Sequence, residues 1–341
     1  MLRMVGLRVV RVKRMSVNQR TAGIVASIAI CASLVQTPAS ADTEYPTRPV
    51  RIIVPYGAGG IADVTMRLAA QRLSEKLGQQ FFVDNRPGAG GVLGARAAAS
   101  AAPDGYTLGM IGGGLTIAKS LFKSLPYDLV EDFVPISTTA FYGLVIVAKA
   151  DSGFKTVEDV IATARAKPGK LNFGTINPGS NQHLSAELFR SMAHIDVAMI
   201  PHKTTPDLIT ALLRGEIDVA FEYEAGLGAM MADPRIAVIA YTGPTRIEHL
   251  PNVPTVAESG LPGYEVTSWN GLAAPKGTPP EIVDRLSRAL VNAMAQPDMH
   301  EAVAKFGMEA RGESSDELSA RIKHDVAKWA EVIDKAGIEK K

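Results

Sequence analysis

Two glycine turns and one polar turn hold the residue types best suited to binding chemistry. Gly57-Ala58-Gly59-Gly60-Ile61-Ala62 fits the pattern G-x-G-x-x-A and lies between the apolar run Val50-Arg51-Ile52-Ile53-Val54 and a stretch of helical periodicity over 61–77. Glycines at such a junction let free N–H groups at a helix start approach an anion, and the helix dipole favours the negative charge. A carboxylate satisfies that cradle as well as a phosphate does. Dinucleotide binding, with Asp84 as the ribose acid, small-anion binding and a structural turn are the three readings of the motif. Asp63 falls in the first turn of the same helix, where it either complements the dipole or touches a ligand. Gly88-Ala89-Gly90-Gly91 is a second glycine turn, suited to close packing at a cleft floor or to direct binding. Thr175-Ile176-Asn177-Pro178-Gly179-Ser180-Asn181 supplies hydroxyl and amide donors at another strand-to-helix junction. Those side chains suit a carboxylate held in a desolvated cleft, and Ser180 alternatively serves only as a helix cap. His183, just inside that helix, reads more readily as a packing or capping residue than as a ligand.

Catalytic patterns are poor by comparison. The histidines at 183, 194, 202, 249, 300 and 324 show no metal-binding spacing, and no G-x-S-x-G elbow occurs. Ser120-Leu121-Phe122-Lys123 matches S-x-x-K but lacks the S-D-N and K-T-G elements that give that pattern meaning. The single cysteine, Cys31, lies in an apolar N-terminal run, so a chain cleaved beyond it has no thiol for a disulfide, a metal or a nucleophile. Neither a cofactor nor a metal is expected. The methionines and Trp329 read as core.

The elements that must position these turns are alternating strands and helices. Strands are expected at 50–54, 81–84 and 106–111, then at 144–148, 171–176, 197–201, 219–223 and 237–242, with helices between most of them. Alternation of this kind implies parallel sheets covered by helices on both faces. Proline-punctuated sequence over 244–280 precedes a helical C-terminal part. The fold expected is two Rossmann-like α/β domains with a ligand cleft between them. Domain I comprises 42–143 plus 266–341 and domain II comprises 144–265, with the chain crossing near 141–148 and returning near 266–275. The C-terminal helices are expected to pack on domain I. Ligands of open parallel sheets bind beyond the carboxyl ends of the strands, so two facing edges make a cleft.

Residues 1–41 form a targeting segment in this reading. Arg3, Arg8, Arg11, Lys13, Arg14 and Arg20 precede an apolar run over 22–35, then Pro38 and Ala39-Ser40-Ala41, the order of a secretory signal cleaved after Ala41. Met15 is an alternative start. Without this segment the chain carries 30 basic and 35 acidic residues, so nucleic acid is not an expected partner. Export also argues against a nicotinamide cofactor.

The sequence resembles the Bug-type, or tripartite tricarboxylate transporter, family of periplasmic solute-binding proteins over essentially the whole chain beyond residue 41. The resemblance is carried by Tyr45-Pro46-Thr47-Arg48-Pro49, Pro55-Tyr56 with the glycine turn and Asp63, Asn85-Arg86-Pro87-Gly88-Ala89-Gly90-Gly91 and Pro103-Asp104-Gly105-Tyr106. Later motifs are Leu125-Pro126-Tyr127-Asp128, His183-Leu184 with Glu187, Leu250-Pro251-Asn252-Val253-Pro254-Thr255, Ser268-Trp269-Asn270-Gly271 and Ala274-Pro275-Lys276-Gly277-Thr278-Pro279. It implies a monomeric, non-catalytic periplasmic protein that closes on an organic acid, aromatic acid or amino acid and delivers it to a membrane permease. Presentation to a sensor kinase is the alternative, and an exported enzyme the weaker one. The expected ligand contacts are Tyr56, Gly59, Ile61, Ala62 and Asp63 from one lobe, and Thr175, Asn177, Ser180, Asn181, His202, Glu222 and Tyr223 from the other. Main-chain N–H groups at 59–62 would hold the carboxylate, Asn177 and Ser180 the far end, and Tyr56 and Tyr223 the walls. Trp269 and Asn270 would close one side. The chain departs from the family's usual pattern at Ala58, Met66, Pro201-His202-Lys203-Thr204 and Glu222-Tyr223-Glu224. Glu222, if it reaches the cleft, would repel a dicarboxylate and favour a hydrogen-bond-donating group; the other readings are a solvated strand end or a pairing with Lys203.

Overall fold

A computed structural model describes residues 45–340, so the expected leader and its cleavage site lie outside the described residues. The first strand, β1 (Val50–Val54), is rich in β-branched residues and buries Val50, Ile52, Ile53 and Val54. Helix α1 (Ile61–Leu77) follows and ends at Gly78, whose left-handed φ of 74° lets its N–H return to Ser74 O. Then come β2 (Phe81–Asn85), a tight turn at Ala89–Gly91, α2 (Val92–Ala99), β3 (Thr107–Gly112) and α3 (Gly113–Leu121). β1 lies parallel between β2 and β3.

Strand β4 (Phe133–Lys149) is 17 residues long and joins the two halves of the sheet. Its first part, to Gly143, pairs antiparallel with β9 (Thr267–Pro275), which in turn pairs with β3. From Leu144 onward it pairs with β7 (Val219–Tyr223), and from Val145 with β8 (Ile236–Tyr241). The second half also holds α4 (Val157–Ala166), β5 (Asn172–Ile176), α5 (Asn181–Ala193), β6 (Ala198–His202), α6 (Thr205–Arg214) and the short α7 (Glu224–Leu227). There β5 lies parallel between β6 and β7. The sheet order is β2-β1-β3-β9-β4-β7-β5-β6. The chain closes with α8 (Pro280–Met294), α9 (Pro297–Ala304), β10 (Glu309–Ala310) and α10 (Ser315–Ala336).

The architecture is the mixed α/β one expected, with differences that have physical causes. β4 starts eleven residues before the expected 144. Pro135 and the polar run Ser137-Thr138-Thr139 hide it, and register shifts against β9 at Pro135/Ser137 and Thr138/Ala140 absorb them as bulges. α3 begins on Gly112-Gly113-Gly114, which reads locally as a loop. α10 packs on both halves rather than one. Leu318 and Ile322 join the core of Ile53, Ile111 and Trp269, whereas Trp329, Val332 and Ile333 join the core built on Phe173, Phe189 and Phe221.

Candidate functional site

A cavity of about 340 Å³ lies beyond the carboxyl ends of β1, β3, β5 and β7, where open parallel sheets collect their ligands. One wall is built by the segment after β1. Tyr56 follows Pro55, and Gly60, Ile61 and Ala62 open α1 at the cavity. The helix is capped by Gly60 with no side-chain bond, so the N–H groups of its first turn, at 61 to 63, have no acceptor inside the helix. α3 starts at the same cavity with another glycine cap, Gly112, and again no side-chain bond. Bare backbone is needed at Gly112, and a side chain at Gly114 would displace the Tyr56 hydroxyl. A Cβ on Gly112 would lie 2.5 Å from the Trp269 carbonyl oxygen, and one on Gly114 would lie 2.7 Å from the Tyr56 hydroxyl.

Asp63 holds the glycine turn in shape. Its Oδ2 accepts from the Gly59 N–H at 2.9 Å and from Arg67 Nε at 2.9 Å, and its Oδ1 accepts from Asn85 Nδ2 at 2.9 Å. The same Asn85 amide donates to Tyr56 O at 3.1 Å. Burial alone would push the Asp63 carboxyl up, but the bonds from Arg67, Gly59 and Asn85 and the Arg67 charge outweigh it and hold its pKa at about 2.

The floor comes from β4 and β9, whose alternation sends Tyr142, Ser268 and Asn270 to the cavity. Tyr142 OH donates to Asn270 Oδ1 at 3.1 Å, and Asn270 Nδ2 donates to Thr65 Oγ1 at 2.9 Å. The Tyr142 and Tyr223 rings meet edge-on at 5.3 Å. Burial pushes the Tyr142 hydroxyl up to about 12 and those of Tyr56 and Tyr223 higher still, so all three remain protonated donors at neutral pH.

The opposite wall is the start of α5. Ser180 caps it: its Oγ accepts from the His183 N–H at 3.2 Å and donates to Ile176 O at 3.1 Å. Asn181 Nδ2 donates to the Tyr223 hydroxyl and, at 3.1 Å, to Ser268 Oγ on β9. His183 is buried, and that burial, with the nearby Arg190, lowers its pKa, leaving Nδ1 free to accept from the Gly179 N–H at 3.4 Å.

Of the residues singled out in the sequence, Tyr56, Ile61, Ala62, Ser180, Asn181 and Tyr223 meet around this cavity, with Asn270. The others fall outside its lining. The Gly59 N–H is bonded to Asp63, and Asp63 is buried against its three donors, while Gly60, Ile61 and Ala62 line the cavity. Thr175 is wholly buried in β5, Asn177 is exposed in its turn, and His202 sits at the end of β6. Glu222 neither reaches the cavity nor pairs with Lys203. It is buried behind the wall, its Oε1 accepting from Gln182 Nε2 at 2.8 Å and the Tyr223 N–H at 2.7 Å, its Oε2 from Thr205 Oγ1 at 2.7 Å. Burial raises its pKa against the opposing pull of those bonds. Trp269 points away from the cavity, its Nε1 donating to Asp325 Oδ2 at 2.7 Å. Met110, Gly112, Gly114, Ile117, Tyr142 and Ser268 line the cavity without having been expected there as contacts. Ser268 alone had a signal, because it sits two residues before Asn270 on a strand. Among the described residues there is no cluster of three metal-ligating side chains, and no helix is long and apolar enough to cross a membrane.

Comparison with known proteins gives a consistent result. The family model described as "Tripartite tricarboxylate transporter family receptor" matches residues 65–338. The protein BugT of Bordetella pertussis is 34% identical over 319 residues, covering 93% of this chain and 98% of its own. An R. palustris protein solved with adipate is 32% identical, with a TM-score of 0.73 over 86% of this chain and 99% of its own. MatC from Rhodopseudomonas palustris, solved with bound malate, is 28% identical, with a TM-score of 0.68 over 85% of this chain and 100% of its own.

Proposed function

The chain belongs to the tripartite tricarboxylate transporter receptor family, and on that premise we propose that it captures a small carboxylate-containing solute outside the cytoplasm and delivers it to the membrane subunits of such a transporter. The observation that carries the reading is the convergence of two helix starts without side-chain caps, those of α1 and α3, on one cavity. Free N–H groups and helix dipoles hold a carboxylate there without a cationic side chain. The adipate and malate bound by the two R. palustris relatives support the same ligand class.

In this proposal residues 42–143 with 266–341 form one lobe and 144–265 the other, the protein acts as an exported monomer after cleavage following Ala41, and it performs no chemistry on its cargo. Ile61 and Ala62 with Gly60 grip the carboxylate, Tyr56, Tyr142 and Tyr223 wall the body of the ligand, and Ser180 and Asn181 meet its far end. Thermal melting of ligand-free protein against mono-, di- and tricarboxylates tests it. A ligand that binds only the folded state at ~100 times its Kd adds about 2.7 kcal/mol, a rise of several degrees in Tm. No rise with any carboxylate, in protein shown by mass spectrometry to carry no bound ligand, sinks the proposal.

A further inference from the structure

The two ends of the cavity are chemically unequal. At the α1 and α3 end, both helices begin on glycine caps and leave first-turn N–H groups without side-chain acceptors. The Tyr56 hydroxyl rests over the start of α3, close enough that a Cβ on Gly114 would meet it at 2.7 Å. That end is a set of donors awaiting an anion. At the α5 end the side-chain donors are already engaged, and of the first-turn N–H groups only those of Asn181 and Gln182 are left without an acceptor inside the helix or from its cap. Ser180 Oγ takes the His183 N–H, His183 Nδ1 takes the Gly179 N–H, and the Asn181 amide nitrogen is committed to Tyr223 and Ser268.

Behind the α5 end lies a carboxyl group. Glu222 touches the wall through Gln182, in the first turn of α5, and through the N–H of Tyr223, whose side chain lines the cavity. Ionised, it offsets the positive end of the α5 dipole and repels any anion brought against that wall. No lysine, arginine or histidine lines the cavity among the described residues to restore a positive field there.

We infer that this protein selects a monocarboxylate whose far end is uncharged and hydrogen-bonding, with the carboxylate on the α1 and α3 helix starts and a hydroxyl, carbonyl or amide against Ser180, Asn181 and Tyr223. The inference rests on the carboxylate-binding function proposed above and narrows its ligand class. Two relatives were solved with the dicarboxylates adipate and malate; the selection inferred for this chain is carried by its own Glu222 and by the side-chain-capped start of α5.

The test is titration calorimetry at pH 7.5 with length-matched probes: adipate, adipic acid monoamide and 6-hydroxyhexanoate, each on ligand-free protein. The monoamide or the hydroxy acid is expected to bind about tenfold or more tighter than adipate, the size of effect one unpaired charge brings to a partly desolvated site. Glu222→Gln keeps the size and most hydrogen-bonding capacity of the side chain. It should narrow the gap by strengthening adipate binding while leaving the monoamide within about twofold. Adipate binding as tightly as the monoamide overturns the inference and leaves the carboxylate-binding function standing. A Glu222→Gln protein with an unchanged ratio removes Glu222 from the explanation and overturns it likewise. If no probe binds and Tm moves with no carboxylate, the function itself fails, and the inference with it.

Discussion

Replacing Asp63 by alanine removes the one acceptor shared by Gly59, Arg67 and Asn85, and so separates a residue that shapes the cradle from one that touches the ligand. A hydrogen bond to a charged group contributes about 1.5–3 kcal/mol when its partners have no alternative. Arg67 does have one: its side chain is 53% exposed, so its share falls to about 0.5 kcal/mol, that of a solvated ion pair one helical turn apart. Gly59 is exposed and water replaces part of its bond, leaving Asn85 as the donor with most to lose. The sum is about 2–3 kcal/mol, or a fall in Tm of roughly 4–6 °C for a chain of this size. Ligand affinity should fall at least about tenfold as the turn at 57–60 loosens and the N–H groups of 60–62 lose their common aim. Asp63→Asn keeps one acceptor and should retain most of the affinity. The stability effect carries a pH signature. The Asp63 pKa is depressed to about 2 from its ordinary 3.8, so its stabilisation is complete above about pH 5 and disappears as the pH falls toward 2. The Tm gap between wild type and Asp63→Asn should therefore close in acid. Unchanged Tm and affinity in Asp63→Ala would refute the reasoning. So would an Asp63→Asn protein that melts normally yet no longer binds, because that pattern belongs to direct ligand contact.

Two further predictions use the same wall and its opposite. Gly114→Ala places a methyl group 2.7 Å from the unsubstituted Tyr56 hydroxyl position, so calorimetry should show weaker carboxylate binding. Its Tm should hold or rise, because alanine is the better helix former by about 1 kcal/mol; a variant that binds normally removes the Tyr56 hydroxyl from the site. His183 has a pKa held below 6.5 chiefly by burial, so the folded state takes up its proton less readily than the unfolded state, and stability should decline as the pH drops below 6.5. His183→Gln should lose that part of the decline, read as a shrinking difference in Tm between wild type and variant from pH 5 to 7. Parallel curves would mean that the Gly179 N–H does not depend on the neutral imidazole.

How much of this was legible in the sequence depends on whether a signal is local. β1, α1 and α4 announce themselves through apolar runs, helical spacing and caps; α4 even carries a reciprocal box, Thr156 with Asp159. The glycine turn was legible for the same reason, since unusual backbone freedom next to a helix start has few other uses. Asp63 was not settled by sequence, because a first-turn carboxylate looks identical whether it faces a ligand or the turn beneath it. Its partner Asn85 lies 22 residues away, on the neighbouring strand. Glu222 and Gln182 are 40 residues apart and meet only because β7 and α5 share one wall, which no spacing reveals. The floor was least visible. Tyr142 and Ser268 come from strands whose partners are more than a hundred residues distant, and a tyrosine in a mixed apolar strand has no feature that marks its face until the register is known.

That register also says where the proposed lobes would bend. β4 keeps β9 as its partner up to Gly143, paired with Thr267, and takes β7 from Leu144, paired with Tyr223. The change of partner falls between adjacent residues, beside the cavity floor. The aromatic ring of Tyr241 lies against Gly143 so closely that a Cβ there would sit 2.5 Å from it, and bare backbone is the only fit. On the cavity side, Tyr142 and Ser268 touch Asn270 and Asn181; on the other, Phe141 lies under the Arg311 guanidinium at 3.7 Å and Trp269 is tied to Asp325. Rotation of the lobes about this point would leave the back of both strands anchored and would separate Asn181 from Ser268, the bond that joins α5 to β9 across the cavity. In the proposed binding mode a ligand bridging the α1 start and Asn181 would resist that same separation. In that proposal binding energy spent at the cavity would act directly on the approach of the lobes, without a relay through either core.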